Sequence, residues 1–351
     1  MPEVESLVGY VASVELLCGA LAAYGYSVVV GKINIKFIAI VGTTMLLGGN
    51  LYSAYIDSIN TLFFARAVSG FAAGILLANL NTIIMRTGNA DRLFAFSQTS
   101  VAVFGIILFG IAPRLMGTYG TSVVFLFIAV VAFLSLISVI SLKVASYKDT
   151  SAETYHAEIM PSSTGWSLNM VLALLGLGLI FVGSQAAWTY MERMGAAKGY
   201  DIKAVGNFLV IGQFLSLLAP IAAVRVSIKF GRLTAITIGV AIYIVILICT
   251  SMPVSPVLYP FASLSFQFGT LFVVTSFFGY LAKMDASGKA ISSAPAAINI
   301  GCALGPGLAG WLIINGGYTQ MGYGLILFFV AGLLLTVIAI RRRYSNGSVP
   351  S

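Results

Sequence analysis

The sequence predicts an all-α membrane protein, built as two parallel, pseudo-symmetric helix bundles with eleven transmembrane helices. Three observations predict it. Of the 351 residues, 59% are hydrophobic and only 9% charged, and the mean hydropathy is +1.00; a soluble globular chain carries about 25% charged residues. The apolar residues come in runs of about 20, the length a helix needs to cross a bilayer and roughly twice what a barrel strand needs. The two halves echo each other at a nearly constant offset. A chain with so few charges cannot coat a water-facing surface, which excludes a soluble enzyme, a disordered chain and a nucleic-acid binder.

The first bundle occupies residues 1–142, with spans at about 6–30, 37–56, 61–85, 93–114 and 121–142. Short connections hold the turn formers and charges, as in Gly31 to Lys36 and Gly88 to Arg92. Residues 143–166, KVASYKDTSAETYHAEIMPSSTGW, are polar, rich in Ser and Thr, and contain His156, the only histidine. This stretch reads as a flexible cytoplasmic linker. The second bundle, 167–351, has spans at about 167–190, 202–226, 233–252, 256–282, 288–315 and 320–340. Cys18, Cys249 and Cys302 all lie within apolar stretches and read as small helix fillers, neither disulfides nor metal ligands. No metal or cofactor is expected.

Orientation follows from the basic residues. Fourteen of the nineteen Lys and Arg, from Lys32 and Lys36 to Arg341, Arg342 and Arg343, fall on one side of the predicted membrane. Arg114, Arg193, Lys198 and Lys203 fall on the other, and Arg66 lies within a span. The rich side is the cytoplasm, so the C-terminus is cytoplasmic and the +8 net charge records topology rather than nucleic-acid affinity. Eleven crossings then place residue 1 outside.

The internal repeat rests on three matches. VGYVASVELL at Val8 pairs with VGNFLVIGQFL at Val205, Gly74 with Gly269, and the Gly105/Gly110 pair with Gly301/Gly305, at offsets of 195 to 197 residues. Matches in one order imply a duplicated bundle with both copies in the same orientation, a plan known among transporters. On that offset the span at 167–190 has its partner before Met1. The first bundle therefore reads as one helix short, through a start placed too late or a truncated gene. Glu3 and Glu5 sit where a periplasmic loop would be.

The third span carries LFFARAVSGFAAG, an Arg followed four residues later by Gly. This is similar to the fourth-helix signature of the major facilitator superfamily, and the chain resembles that family over nearly its whole length. The resemblance implies two six-helix bundles and a secondary transporter. The family's loop signature is weak here. VVVGKINIKF has Gly31, Lys32 and Lys36 without an Asp, and VRVSIKFGRL has Lys229, Gly231 and Arg232 with Ile228 where an Asp belongs. Gly105, Gly110 and Pro113 are spaced wrongly for the fifth-helix signature of proton-driven drug antiporters.

Alternating access needs a polar site at mid-membrane. A charge there costs roughly 2.5–3.5 kcal/mol on insertion scales, so Glu15 in the first span and Arg66 in the third each ask for a reason. Both are expected in the outer half of the membrane. The functional reading has Glu15 binding a proton or coupling cation, with Arg66 binding an anionic group or tuning the carboxylate. The structural reading is an ion pair tying two helices. Glu192, with Trp188, reads either as a site at the cavity mouth or, with Trp188 and Tyr190 as headgroup-level rings, as an interfacial anchor. Gln98, Gln185, Gln213, Gln267 and Asn299 are candidate cavity amides, with Asn50 and Asn81 beside them. Gly305 and Pro306, in GPGLAG, are expected to flex the tenth span. The same letters spell a dinucleotide pattern, but no strand precedes them.

The expected protein is a secondary active transporter, monomeric, moving a small organic solute by alternating access across a cell inner membrane, with a proton as the candidate coupling ion. It is not an enzyme: a lone linker histidine offers no catalytic cluster. No phosphate-binding loop of the G-x-x-x-x-G-K-[ST] type is present to bind ATP. The competing reading is a transport-inactive receptor or scaffold derived from a transporter.

Overall fold

The computed structural model describes residues 2–29, 33–56, 58–85, 90–141, 167–284 and 289–345. The expected linker 143–166, with His156, lies outside the described residues. Eleven helices lie within them: α1 Pro2–Val29, α2 Ile35–Ala54, α3 Ile59–Met85, α4 Ala90–Tyr119, α5 Ser122–Ser141, α6 Leu168–Ala197, α7 Ile202–Ser216, α8 Ala219–Phe230, α9 Arg232–Ser251, α10 Leu258–Met284 and α11 Lys289–Ser345. Eight are long and apolar enough to cross a membrane, and the bent pair α7–α8 makes a ninth candidate. The chain divides into two compact units, Val11–Met160 and Met1–Tyr10 with Pro161–Ser351.

The helices are not the expected eleven one for one. The span expected at 202–226 is two helices meeting at 48°. Pro220 explains the break, since it has no N–H to give the Ser216 carbonyl and its ring crowds that carbonyl. The spans expected at 288–315 and 320–340 run together as α11. Its apolar stretch, Ser293–Arg342, is 50 residues, or roughly 75 Å of helix against a hydrocarbon core of about 30 Å. Two crossings are needed, and the backbone leaves helical geometry at Gly316 (φ −174°, ψ 23°) and Gly317 (φ 68°, ψ −166°). Pro306 lies ten residues before that break, within the helix.

In the first unit, Asn34 caps α2 by accepting from the backbone N–H groups of Lys36 (2.8 Å) and Phe37 (3.3 Å). α2 packs on α3 and α5. α3 meets α1 backbone to backbone: a Cβ on Gly70 would fall on the Glu15 carbonyl, and one on Gly74 on that of Gly19. Small residues four apart permit this approach. Tyr26 donates to Asn79 Oδ1 at 2.9 Å, and Asn79 Nδ2 donates to the Ile35 carbonyl at 3.2 Å, tying α1, α2 and α3 together.

In the second unit, α6 packs along both halves of α11. Gly301 and Gly305 lie against the α6 backbone at Gly178 and Val182, and Gly332 against Gly176. α6 ends in a Schellman motif: Tyr200 N–H donates to the Gly195 carbonyl (3.0 Å) and Gly199 N–H to that of Ala196 (3.0 Å), with Gly199 at φ +89°. Asp201 then caps α7 by accepting from Ala204 N–H at 2.6 Å. α7 packs on α10 as α1 packs on α3. Here the glycine is on the other partner, Gly212, 2.8 Å (as a Cβ) from the Leu264 carbonyl. The three cysteines are free thiols.

Candidate functional site

Arg66 sits two turns into α3 and is the only charged side chain among the buried residues described, at 6% exposure. α1, α2 and α3 converge on it. Its Nη1 donates to Glu15 Oε1 at 3.3 Å. Its Nη2 is surrounded by the Gly49 carbonyl (3.2 Å), Asn50 Oδ1 (3.2 Å), Ser53 Oγ (2.7 Å) and Ser69 Oγ (3.0 Å). The guanidinium carbon lies 4.8 Å from the centroid of the Phe125 ring, a cation–π distance. Nε is buried without a hydrogen bond. A terminal NH₂ has two hydrogens, so four acceptors around Nη2 hold it whichever pair it uses.

The cradle follows from helical spacing. Asn50 and Ser53 are three apart on α2, and Arg66 and Ser69 three apart on α3, so each pair shares a face. Ser53 spends its own proton on the Gly49 carbonyl (2.7 Å) and Asn50 its amide N–H on that of Leu46 (2.8 Å), leaving lone pairs toward the cation. Gly49 lets α3 come close, with Ser69 Oγ where its Cβ would be. Sequence reasoning named Glu15, Arg66 and Asn50 but missed Ser53, Ser69 and Phe125. The i, i+3 polar spacing on α2 and α3 was the available signal.

The two charges are not equivalent. Arg66 is enclosed, while the Glu15 side chain is 35% exposed. Among the described residues Glu15 has one hydrogen-bond partner, Arg66. One carboxylate oxygen therefore faces open space in an otherwise apolar stretch.

The other expected site residues lie in the second unit, apart from Gln98, whose side chain lies outside the described residues. Trp188 of α6 stacks on Phe266 of α10, with centroids 5.4 Å apart and planes at 27°. Tyr190 is fully buried against its own unit. α6 continues to Ala197, two turns beyond the expected end. Glu192 is exposed on the last turns of α6. Gln185, Gln213 and Gln267 are half-buried and Asn299 is exposed. Gly305 and Pro306 are buried in helix, Gly305 packed on α6.

Three hydroxyls missed from sequence join α6, α9 and α10. Ser184 Oγ donates to Tyr243 Oη (2.8 Å), which donates to Thr270 Oγ1 (2.8 Å). Tyr243 stacks on Phe329 at 5.0 Å and meets Phe266 edge-on at 5.7 Å. Beyond the spans, Lys198 Nζ caps the end of α9 through the carbonyls of Met252 (2.9 Å) and Val254 (3.3 Å), and partial burial lowers its pKa from the usual lysine value. A groove of about 370 Å³ between α6 and α11, lined by Val171, Leu175, Ile300 and Leu304 among others, is almost wholly apolar, with Ser293 as its hydroxyl. No group of metal-ligating side chains occurs among the described residues.

The model of the Major Facilitator Superfamily matches residues 4–286. No curated protein matches the sequence. Solved structures match in fold. The nucleoside transporter NupG superposes with a TM-score of 0.75 at 14% identity, covering 96% of this chain and 90% of that one. A bacterial homologue of the human lysosomal transporter Spinster, in an inward-facing and occupied conformation, superposes at 0.69 with 12% identity, covering 97% and 88%.

Proposed function

The chain belongs to the Major Facilitator Superfamily, and from that premise we propose that this multi-pass membrane transporter moves a small organic solute by alternating access, with Glu15 carrying the coupling proton. The observation behind this reading is the inequality of the Glu15–Arg66 pair. Arg66 is spent on five protein acceptors and an aromatic face, so it positions and neutralises rather than binds solute. Glu15 is reachable and has a single partner, as a group that must load and release a proton requires. Protonating it removes the ion pair but leaves Arg66 held by four neutral oxygens, so loading need not unfold the site. The same reading has the protein as a monomer in a cell inner membrane with its C-terminus in the cytoplasm, as the Lys and Arg distribution supports.

The test begins with purified protein and a metabolite panel read by thermal stabilisation, with uridine included because NupG is a nucleoside transporter. A stabilising solute is then followed into liposomes under an inward proton gradient. Glu15→Gln should abolish gradient-driven accumulation yet retain solute exchange at equal pH. Wild-type accumulation in Glu15→Gln would overturn the assignment of the proton, and no flux of any stabilising solute would overturn transport itself.

A further inference from the structure

Three half-buried amides, Gln185, Gln213 and Gln267, make no side-chain hydrogen bond to any described residue. An amide in an apolar helix that lacks a protein partner needs water or a solute, because hydrocarbon supplies none. Two of these amides stand at one level. α6 and α10 are antiparallel neighbours whose register is fixed by Tyr259 Oη donating to the Met191 carbonyl (2.7 Å) and by Trp188 stacking on Phe266. That register sets Gln185 level with Gln267. Gln185 is 12 residues from the α6 end at Ala197, roughly 18 Å, and Gln267 nine from the α10 start at Leu258, roughly 14 Å, at 1.5 Å per residue. Both values lie near the middle of a 30 Å slab.

Beside them lies a rigid aromatic platform. Phe266 is 2% exposed and Tyr243 1%. Tyr243 is fixed at its hydroxyl by Ser184 and Thr270 and on its face by Phe329. Trp188 leans on this block and stays partly exposed. A ring held in place loses little entropy when a second flat ring joins it. Within the second unit, α6 carries no charged residue from Leu168 to Met191, and α10 none from Leu258 to Leu281. Glu192 and Arg193, one turn past Trp188, are the first charged residues along α6.

We propose that the solute is uncharged and carries a flat unsaturated ring, which stacks at Trp188 while Gln185 and Gln267 bond the donors and acceptors on its edge. An ionic solute would be stripped of water beside groups that cannot compensate it, and a saturated polyol would waste the aromatic face. An amide offers a donor and an acceptor together, matching the edge of a heterocycle. This rests on the transporter reading above and adds the chemical class of its solute.

The experiment uses the full chain carrying Trp166→Phe and Trp311→Phe, which leaves Trp188 as the only tryptophan. Its fluorescence and the melting temperature are followed against three groups: uridine, adenosine and nicotinamide; their charged relatives UMP, AMP and nicotinate; and the ringless mannitol with ribose. At least one neutral heterocycle should quench Trp188 saturably and raise the melting temperature, and the other groups should do neither. Gln185→Ala and Gln267→Ala should each weaken that binding tenfold or more with the unliganded melting temperature unchanged. Trp188→Phe should keep measurable binding where Trp188→Ala loses it. Preference for a charged or ringless compound, or no response to any neutral heterocycle, would overturn the proposal. Flux of such a compound in liposomes would then leave the transporter reading standing.

Discussion

Removing the Arg66 guanidinium leaves Glu15 without a counter-charge among apolar helices, whereas removing the Glu15 carboxylate leaves Arg66 still surrounded by oxygens. The two deletions should therefore differ in stability. Breaking a buried pair by deleting one partner costs about 3–5 kcal/mol, and replacing both partners costs far less. Arg66→Met is expected below that cost, because the Glu15 left behind is 35% exposed and can take up a proton. Asn50 and Ser53 do not add to it, because each already donates to a carbonyl of its own helix. Glu15→Gln alone should be mild, and the double variant should regain more than half of what Arg66→Met loses. Melting temperatures of the four proteins in one detergent check this; an additive double variant would show that the pair is not coupled. Arg66→Lys should behave nearly as badly as Met, since one ammonium cannot span Glu15 and the α2 oxygens at once. At this scale the sequence was a good guide to charges and a poor one to neutral partners. A lone Arg in an apolar run is conspicuous. Ser53 and Ser69 are ordinary helix residues until α2 and α3 are set face to face.

Helix contacts in both units are made by glycine, and the glycines divide into those that touch and those that do not. A Cβ on Gly70 would collide with Glu15 backbone, and one on Gly301 with Gly178 backbone. Backbone cannot move aside as a side-chain tip can. Gly70→Ala and Gly301→Ala should each cost about 1–3 kcal/mol, the range for overpacking. Gly48 and Gly279 have nothing within 4 Å of the added atom, so Ala there should be neutral or gain up to about 1 kcal/mol of helix propensity. Equal losses at all four positions would mean that helix flexibility, not contact, decides. The GFAAG spacing signals a close helix contact on α3, and only the structure shows the partner to be α1. The equivalent crossing in the second unit was not, because its glycine lies on α7 at Gly212 and its partner is Leu264. The bend at Pro220 was missed for a related reason: hydropathy runs unbroken through Leu217 and Leu218, and only the missing proline N–H interrupts the helix.

Whole-molecule properties are sums over many residues, which is why they were the most legible. Helical class, family and paired bundles follow from hundreds of apolar positions, and one misread residue changes none of them. Solute identity is the opposite case, resting on a few side chains from α6 and α10, with Gln185 and Gln267 lying 82 residues apart in sequence. Orientation belongs with the sums. Fourteen basic residues against four predict which ends stay in the cytoplasm, and the four on the poor side include Lys198 and Lys203 at the α6–α7 turn. A cysteine-free protein, with Cys18, Cys249 and Cys302 replaced, gives a clean background for labelling. Cysteine introduced at Lys203, an exposed-loop neighbour that caps nothing, should react in intact cells with a thiol reagent that cannot cross the membrane. Cysteine introduced at Ser348, just past Arg341, Arg342 and Arg343, should react only after the cells are opened. The reverse pattern would invert the orientation, and with it the side from which Glu15 takes its proton.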